Sequence, residues 1–234
     1  MAEHTQDALQ KRLGVRFKDA SLLTQALVHR SYLNENRSFG LPHNERLEFL
    51  GDAVLELIVT DYLYRKYDNP EGELTSWRSA LVRGDMLATV AEPLKLGEAV
   101  LMSKGEEKSG GRDRSLLLAN VFEAVVGAIY LDQGYDAAKR FVHRLIIPRL
   151  PAIIEHDLHR DPKSQLQEVA QQRKSKTPRY KVQAAVGPDH DKRFTVEVYV
   201  GDNKVGTGEG PSKQSAEQAA AEDALEGDSL SSTS

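Results

Sequence analysis

Cysteine is absent from this 234-residue chain, which excludes disulfides, cysteine-type zinc sites and a cysteine nucleophile. An apolar run of the roughly 18 residues that a membrane span needs is missing too, because the longest apolar stretches are broken by Glu56, Asp61, Glu123 and Asp132. The opening residues, MAEHTQDALQKRLG, carry no signal-peptide core. A soluble, cytoplasmic protein with no membrane partner is expected. Surplus positive charge is missing as well: 31 Lys plus Arg face 35 Asp plus Glu, a formal net charge of −4. A protein that grips polyphosphate by bulk charge alone would look different, so any case for nucleic acid must rest on local constellations. No internal repeat stands out. Hydrophobic residues at 40% and charged residues at 28% are enough for a buried core, and the length accommodates one large or two small domains.

Residues 16 to about 155 read as nearly continuous helix. Apolar residues recur at three- and four-residue spacing, as in Leu47, Leu50, Val54, Leu55 and Ile58, and again in Val121, Val125, Ala128 and Ile129. Loops are expected at 34–43, 67–73 and 103–114. Since nothing before 155 alternates with period two, an all-α N-terminal domain is expected over 1–155. The charged, proline-bearing stretch 156–161 reads as a linker. Residues 162–227 read as a small α+β unit in the order α-β-β-β-α. Its first helix covers 163–174. A strand at 179–186 puts Tyr180, Val182, Ala184 and Val186 on one face, and a strand at 193–200 does the same with Phe194, Val196, Val198 and Val200. Val205 marks a third strand, and an alanine-rich helix at 211–225 is capped by Ser212. The tail at 228–234 is expected to be disordered.

The informative stretch runs from Asn44 to Leu55. On a helix, Glu45, Glu48 and Asp52 stand at offsets 0, 3 and 7 and share a face, with Leu47, Leu50 and Val54 opposite. A solvated face is the plain reading of such a trio, yet no Lys or Arg on that face relieves the repulsion. At ~5 Å and an effective dielectric near 20, each close pair costs about 3 kcal/mol, so protonation or a cation must relieve a partly enclosed site. Gly51, mid-helix at a cost of ~1 kcal/mol against alanine, implies a close approach to the backbone. A second acid, Glu123, lies one turn beyond Asn120 in a strongly apolar segment where a lone carboxylate is expensive. Packing the two helices together would gather Glu48, Asp52, Asn120 and Glu123. Oxygen donors of this kind suit Mg2+ or Mn2+ rather than zinc or copper, and they suit two-metal phosphodiester hydrolysis.

NERLEFLGDAVL (44–55) closely resembles the signature of the ribonuclease III family, and LLLANVFEAVVGAIYLD (116–132) resembles its second acidic helix. HRSY (29–32), EGELTSWRSALVRGDMLA (71–88) and KSGG (108–111) also fit that family, and the resemblance spans residues 10 to about 227. It implies an all-α endonuclease domain that works as a homodimer, each subunit cutting one strand of double-stranded RNA. The products would carry 5′-phosphates and 3′-hydroxyls with short 3′ overhangs, from ribosomal RNA precursors and messengers. By position, Asp52 and Glu123 match the family's catalytic acids, and Glu48, Asp52, Asn120 and Glu123 its Mg2+ ligands, with Mn2+ able to substitute. Glu45 matches a further acid that is either outer-shell or RNA-contacting. Glu71 resembles the acid of a Glu-Gly turn, with a plain loop carboxylate equally open. The sequence departs from the family at Asn120, where aspartate is frequent, which takes one charge from the site and is expected to weaken metal binding.

Residues 162–226 resemble a double-stranded RNA-binding domain. Ser164, Gln167 and Glu168 on its first helix, His190 in the Gly187–His190 loop and Lys213 at the last helix match its RNA contacts. Such groups suit the shallow minor groove of A-form RNA, with phosphates at a helix N-terminus. The Gly206, Gly208 and Gly210 run is no nucleotide fingerprint, because its third spacing is wrong and no βαβ unit surrounds it. From 161 to 234, ten Lys plus Arg face twelve Asp plus Glu, so a shallow salt dependence of RNA binding is expected. The leading expectation is an endoribonuclease for double-stranded RNA with no protein partner beyond its own copy. The alternative is a catalytically impaired duplex-binding protein. Hydrolysis of small nucleotides is disfavoured, since the duplex reader would then be idle.

Overall fold

The chain divides near residue 159 into two units. The computed structural model describes residues 3–155, 162–174, 176–188 and 192–227; the expected linker at 156–161 and tail at 228–234 lie outside them. The first unit is helical: α1 (Glu3–Leu13), α2 (Ala20–Ala26), α3 (Arg30–Glu35), α4 (Glu45–Lys66), α5 (Glu71–Val82), α6 (Gly84–Ala91), α7 (Leu96–Ala99), α8 (Lys104–Lys108), α9 (Ser115–Gln133), α10 (Tyr135–Leu145) and α11 (Leu150–Glu155). Helix α1 precedes the point where periodicity becomes continuous, and its fully buried Leu9 and Leu13 are too few to announce it. Two of the expected loops hold helix as well. α5 starts directly after Pro70, and the 103–114 stretch contains α8 and a 3-10 turn at Gly111–Asp113. Pro70 fits at a helix start because its missing N–H would have no intrahelical partner there.

α9 is the core helix, with Phe122, Val125, Val126 and Ile129 fully buried and α2, α4, α6 and α10 packed around it. By length and composition it could cross a bilayer, contrary to the run-length expectation, but 61% of that window is buried inside the unit. α4 crosses it at a pair of glycines. A Cβ on Gly51 would overlap the Glu123 carbonyl, and one on Gly127 would overlap the Leu47 carbonyl. The cost of a mid-helix glycine is thereby explained: each helix removes a side chain so that the other's backbone can approach.

The second unit comprises α12 (Pro162–Lys174), β1 (Pro178–Val186), β2 (Arg193–Val200), β3 (Asn203–Gly210) and α13 (Lys213–Glu226), with an antiparallel sheet ordered β1-β2-β3. β2 alternates as expected, its Val196, Val198 and Val200 buried. β1 does not. A bulge at Gln183 shifts the register between Val182, opposite Val196, and Ala184, opposite Thr195. Directly paired residues share a face, so the extra residue turns Ala184 and Val186 away from the face that holds Tyr180 and Val182, and Val186 is 68% exposed. The glycine run of β3 has a packing role. Cβ atoms on Gly206 and Gly208 would strike the α13 backbone at its buried Ala216, Ala220 and Ala224. Ser212 caps α13 in a reciprocal box with Ser215.

Candidate active site

α4 is anchored before it starts. Asn44, only 4% exposed, donates its backbone N–H to the Val28 carbonyl at 2.9 Å and its side-chain amide to the Ala26 carbonyl at 3.2 Å. Its own carbonyl accepts the Glu48 N–H at 2.9 Å, the first bond of the helix. The buried polar residue at the head of the acidic motif is therefore a tether, held to backbone groups through its N–H, its carbonyl and its side-chain amide.

From that anchor the helix delivers its acids to the glycine crossing. Asp52 follows Gly51 and is exposed, Glu48 lies one turn earlier and is half-buried, and Glu123 faces them from α9, one turn before Gly127 and also half-buried. Burial and the charges of Asp52 and Glu48 push the Glu123 pKa up to about 7. Burial, Glu45 and Asp52 raise Glu48, while a hydrogen bond from the Asn120 amide opposes that rise. The structure thus brings Glu48, Asp52, Asn120 and Glu123 to one crossing, with carboxylates that disfavour one another's charge across two helices. Among the described residues no three acidic or histidine side chains are already closed into a ligand cage. What the crossing offers is an all-oxygen donor set with an unmet demand for positive charge, which fits a hard divalent cation.

Glu45 stands apart at the rim, 3.7 Å from both Arg30 and the His43 Nδ1. Its counter-charge, Arg30, comes from outside its own helix, where the spacing of acids along the chain could not reveal it. Glu71, exposed at the start of α5, accepts the Thr75 hydroxyl at 2.9 Å and lines a hollow of about 430 Å3 with Thr60 and Tyr64, roughly two to three turns along α4 from Asp52. It does not join the crossing within this chain.

Beside the crossing is a smaller hollow of about 170 Å3, lined among others by His29, Arg30, Glu45, Glu48, Arg114 and Asn120. Burial lowers the His29 pKa. The face of α4 adjoining its acids carries Phe49, Leu57 and Tyr64, exposed by 80%, 57% and 78%. Both features escaped the sequence reading. The hollow assembles from segments distant in the chain, whereas the apolar stripe was visible as the helix positions left over once the buried and acidic faces are subtracted.

In the second unit, α12 exposes Ser164, Gln167 and Glu168 on the side away from buried Leu166 and Ala170. Lys213 is exposed at the first position of α13. Lys163 reaches Glu217 at 2.5 Å and ties the two helices together. His190 lies outside the described residues.

Comparison with known proteins agrees with this division. Residues 19–150 match the family model described as ribonuclease-III-like, and residues 162–227 match the double-stranded RNA binding motif. Ribonuclease 3 of Pelotomaculum thermopropionicum is 50% identical over 218 residues, 93% of this chain and 90% of that protein. Ribonuclease 3 of Enterococcus faecalis is 49% identical over 219 residues, 93% and 94% respectively. Among solved structures, the nuclease domain of ribonuclease III from Campylobacter jejuni, studied for flexibility in a region involved in dimer formation, superposes with a TM-score of 0.57 at 42% identity. It covers 62% of this chain and 98% of its own.

Proposed function

This chain belongs to the ribonuclease III family and is an endoribonuclease, and from that premise we propose that it hydrolyses double-stranded RNA at the α4–α9 crossing with bound Mg2+. The products of this reading carry 5′-phosphate and 3′-hydroxyl ends with short 3′ overhangs, and Mn2+ substitutes for Mg2+. The observation that carries it is the close glycine crossing of α4 and α9, which gathers Glu48, Asp52, Asn120 and Glu123 so that burial and two facing acids push the Glu123 pKa up to about 7. Such an arrangement is costly to the fold unless a cation relieves it.

Glu48, Asp52, Asn120 and Glu123 would hold the metal, with Asp52 and Glu123 the catalytic acids. Bound there, Mg2+ supplies a Lewis acid that makes water a stronger nucleophile and offsets charge on the phosphate. The Asn120 amide donates to the Glu48 carboxylate and favours its ionised form. In this reading Asn120 takes part in the cluster through that bond. Glu45, at the rim, faces the incoming strand.

Ser164, Gln167, Glu168, His190 and Lys213 of the second unit hold the duplex in this reading. The unit carries no surplus of basic residues, so RNA binding depends less steeply on salt than in more basic domains of this kind. The exposed Phe49, Leu57 and Tyr64 stripe is the face of a homodimer, because an apolar strip of this size on a nuclease unit marks an interaction surface. Cytoplasmic processing of ribosomal RNA precursors and messengers completes the reading. Purified protein is expected to cut labelled duplex RNA in Mg2+, leave the single strands intact and stop in EDTA, with the ends identified by ligation and phosphatase treatment. Equal cutting of single strands, or cutting in EDTA, would contradict it.

A further inference from the structure

Two motifs, His29-Arg30-Ser31-Tyr32 and Lys108-Ser109-Gly110-Gly111, are left without a task by the hydrolytic reading; the first supplies His29 and Arg30 to the hollow beside Glu48 and Asn120, and the second shortly precedes Arg114, which also lines it. The first is stitched to the segment after α7. His29 donates its N–H to the Leu101 carbonyl at 2.9 Å, Leu101 donates to Leu27 at 2.8 Å, and the Ser103 N–H reaches the Ser31 Oγ at 3.0 Å. The second closes a turn, with Gly110 at a φ of +77°, beside which Glu106 grips Arg114 at 2.6 Å. The first motif therefore presents His29 and Arg30 at the hollow, and the turn after the second leads to Arg114.

In this hollow Arg30 and Arg114 are the cationic side chains and His29 a hydrogen-bond donor, beside the carboxylates of Glu45 and Glu48. His29 Nδ1 accepts the Ser31 N–H at 3.3 Å and lies 2.8 Å from the Ser31 Oγ. That commits Nδ1 as the acceptor and leaves Nε2–H as a donor with no partner among the described residues. Arg30, its side chain 73% exposed, meets Glu45 only at 3.7 Å, a loose contact that a better acceptor can displace. Arg114 is fixed by Glu106 and still has N–H groups to spare.

We propose that this hollow is a subsite for a phosphodiester of the RNA strand adjacent to the scissile one, held by Arg30, Arg114 and the His29 Nε2–H. The inference rests on the α4–α9 crossing being the cleavage site. At about 170 Å3 the hollow has room for roughly five or six waters. It is smaller than a typical small-molecule pocket of about 300 Å3 or more, and so suits one charged group of a polymer. The chemistry requires such a group. A strand entering beside Glu45 and Glu48 brings phosphates on both sides of the bond to be cut, and those flanking it meet only carboxylates unless a guanidinium intervenes. Arginine gives the planar, two-pronged grip that fixes the strand's register. Arg30 and Arg114 are positioning residues in this account.

A chemical double-mutant cycle tests it. Duplexes carrying one neutral methylphosphonate at each linkage flanking the scissile bond are cut in Mg2+ under single-turnover conditions by wild type, Arg30→Gln and Arg114→Gln. At one linkage the wild type should slow roughly tenfold, the effect of losing a charge-assisted hydrogen bond. Both variants should be slowed on unmodified RNA and lose no more than about twofold further at that linkage, and Arg30→Lys should recover part of the rate. Arg30→Gln carries the test on its own should Arg114→Gln unsettle the turn at Glu106. Equal sensitivity of wild type and variants at every linkage overturns the subsite and leaves the cleavage site standing. Failure of wild type to cut unmodified duplex in Mg2+ overturns both.

Discussion

Glu123 keeps its proton up to about pH 7 in the folded, metal-free chain, whereas an ordinary glutamate gives it up near 4.5. Between those values the folded state binds more protons than the unfolded one, so this contribution is complete below about pH 4.5 and is lost as pH rises through about 7. Glu48 is raised in the same sense. In EDTA the protein should therefore lose stability between about pH 4.5 and 7, by something of order 1–2 kcal/mol once solvent screening of a half-open site is allowed for. Glu123→Gln should flatten most of that slope in denaturant titrations, and an undiminished slope would contradict the assignment. Asn120 allows a second test. Asn120→Asp adds a charge to the donor set and removes the amide that Glu48 accepts. The Mg2+ concentration for half-maximal cleavage should fall, and an unchanged or higher value counts against Asn120 as a ligand. At this scale the α4 and α9 acids were legible in the sequence, because charge repeated on one helix face or set in an apolar helix conflicts with its surroundings. Arg30 and Arg114 were not, because their meaning depends on neighbours from other helices.

Between elements, the account depends on the close crossing of α4 and α9. Gly51→Ala places a methyl against the Glu123 carbonyl, which is backbone and cannot rotate away. We expect a loss of about 3 kcal/mol, hence a Tm lower by roughly 6–12 °C, together with impaired cleavage as Glu123 is pushed away from Asp52. An unchanged melting curve would show that the helices do not meet there. The sequence exposed the anomaly, a glycine where alanine would be better, but not the partner that explains it. The three glycines of β3 pose the same puzzle, and the alanine stripe of α13 answers it. The bulge at Gln183 left no such trace. A one-residue insertion in the pairing depends on β2 as much as on β1, so simple alternation predicted the wrong face for Ala184 and Val186.

For the whole molecule, two units and their order of helices and strands were legible from the change of period along the chain. The stripe of Phe49, Leu57 and Tyr64, proposed above as the face between two copies, was missed, because these residues read as ordinary helix residues until the core claims the others. Phe49→Glu should shift the protein from dimer to monomer in sedimentation velocity while its far-ultraviolet circular dichroism stays the same. An unchanged sedimentation coefficient would place the interface elsewhere. The central claim, that acids of α4 and α9 jointly cut double-stranded RNA, is tested most directly by comparing wild type with Glu123→Ala on one labelled duplex at millimolar Mg2+. The account predicts that the variant binds the duplex as before and cuts it at least about a hundredfold more slowly. Cleavage by Glu123→Ala at the wild-type rate would contradict it.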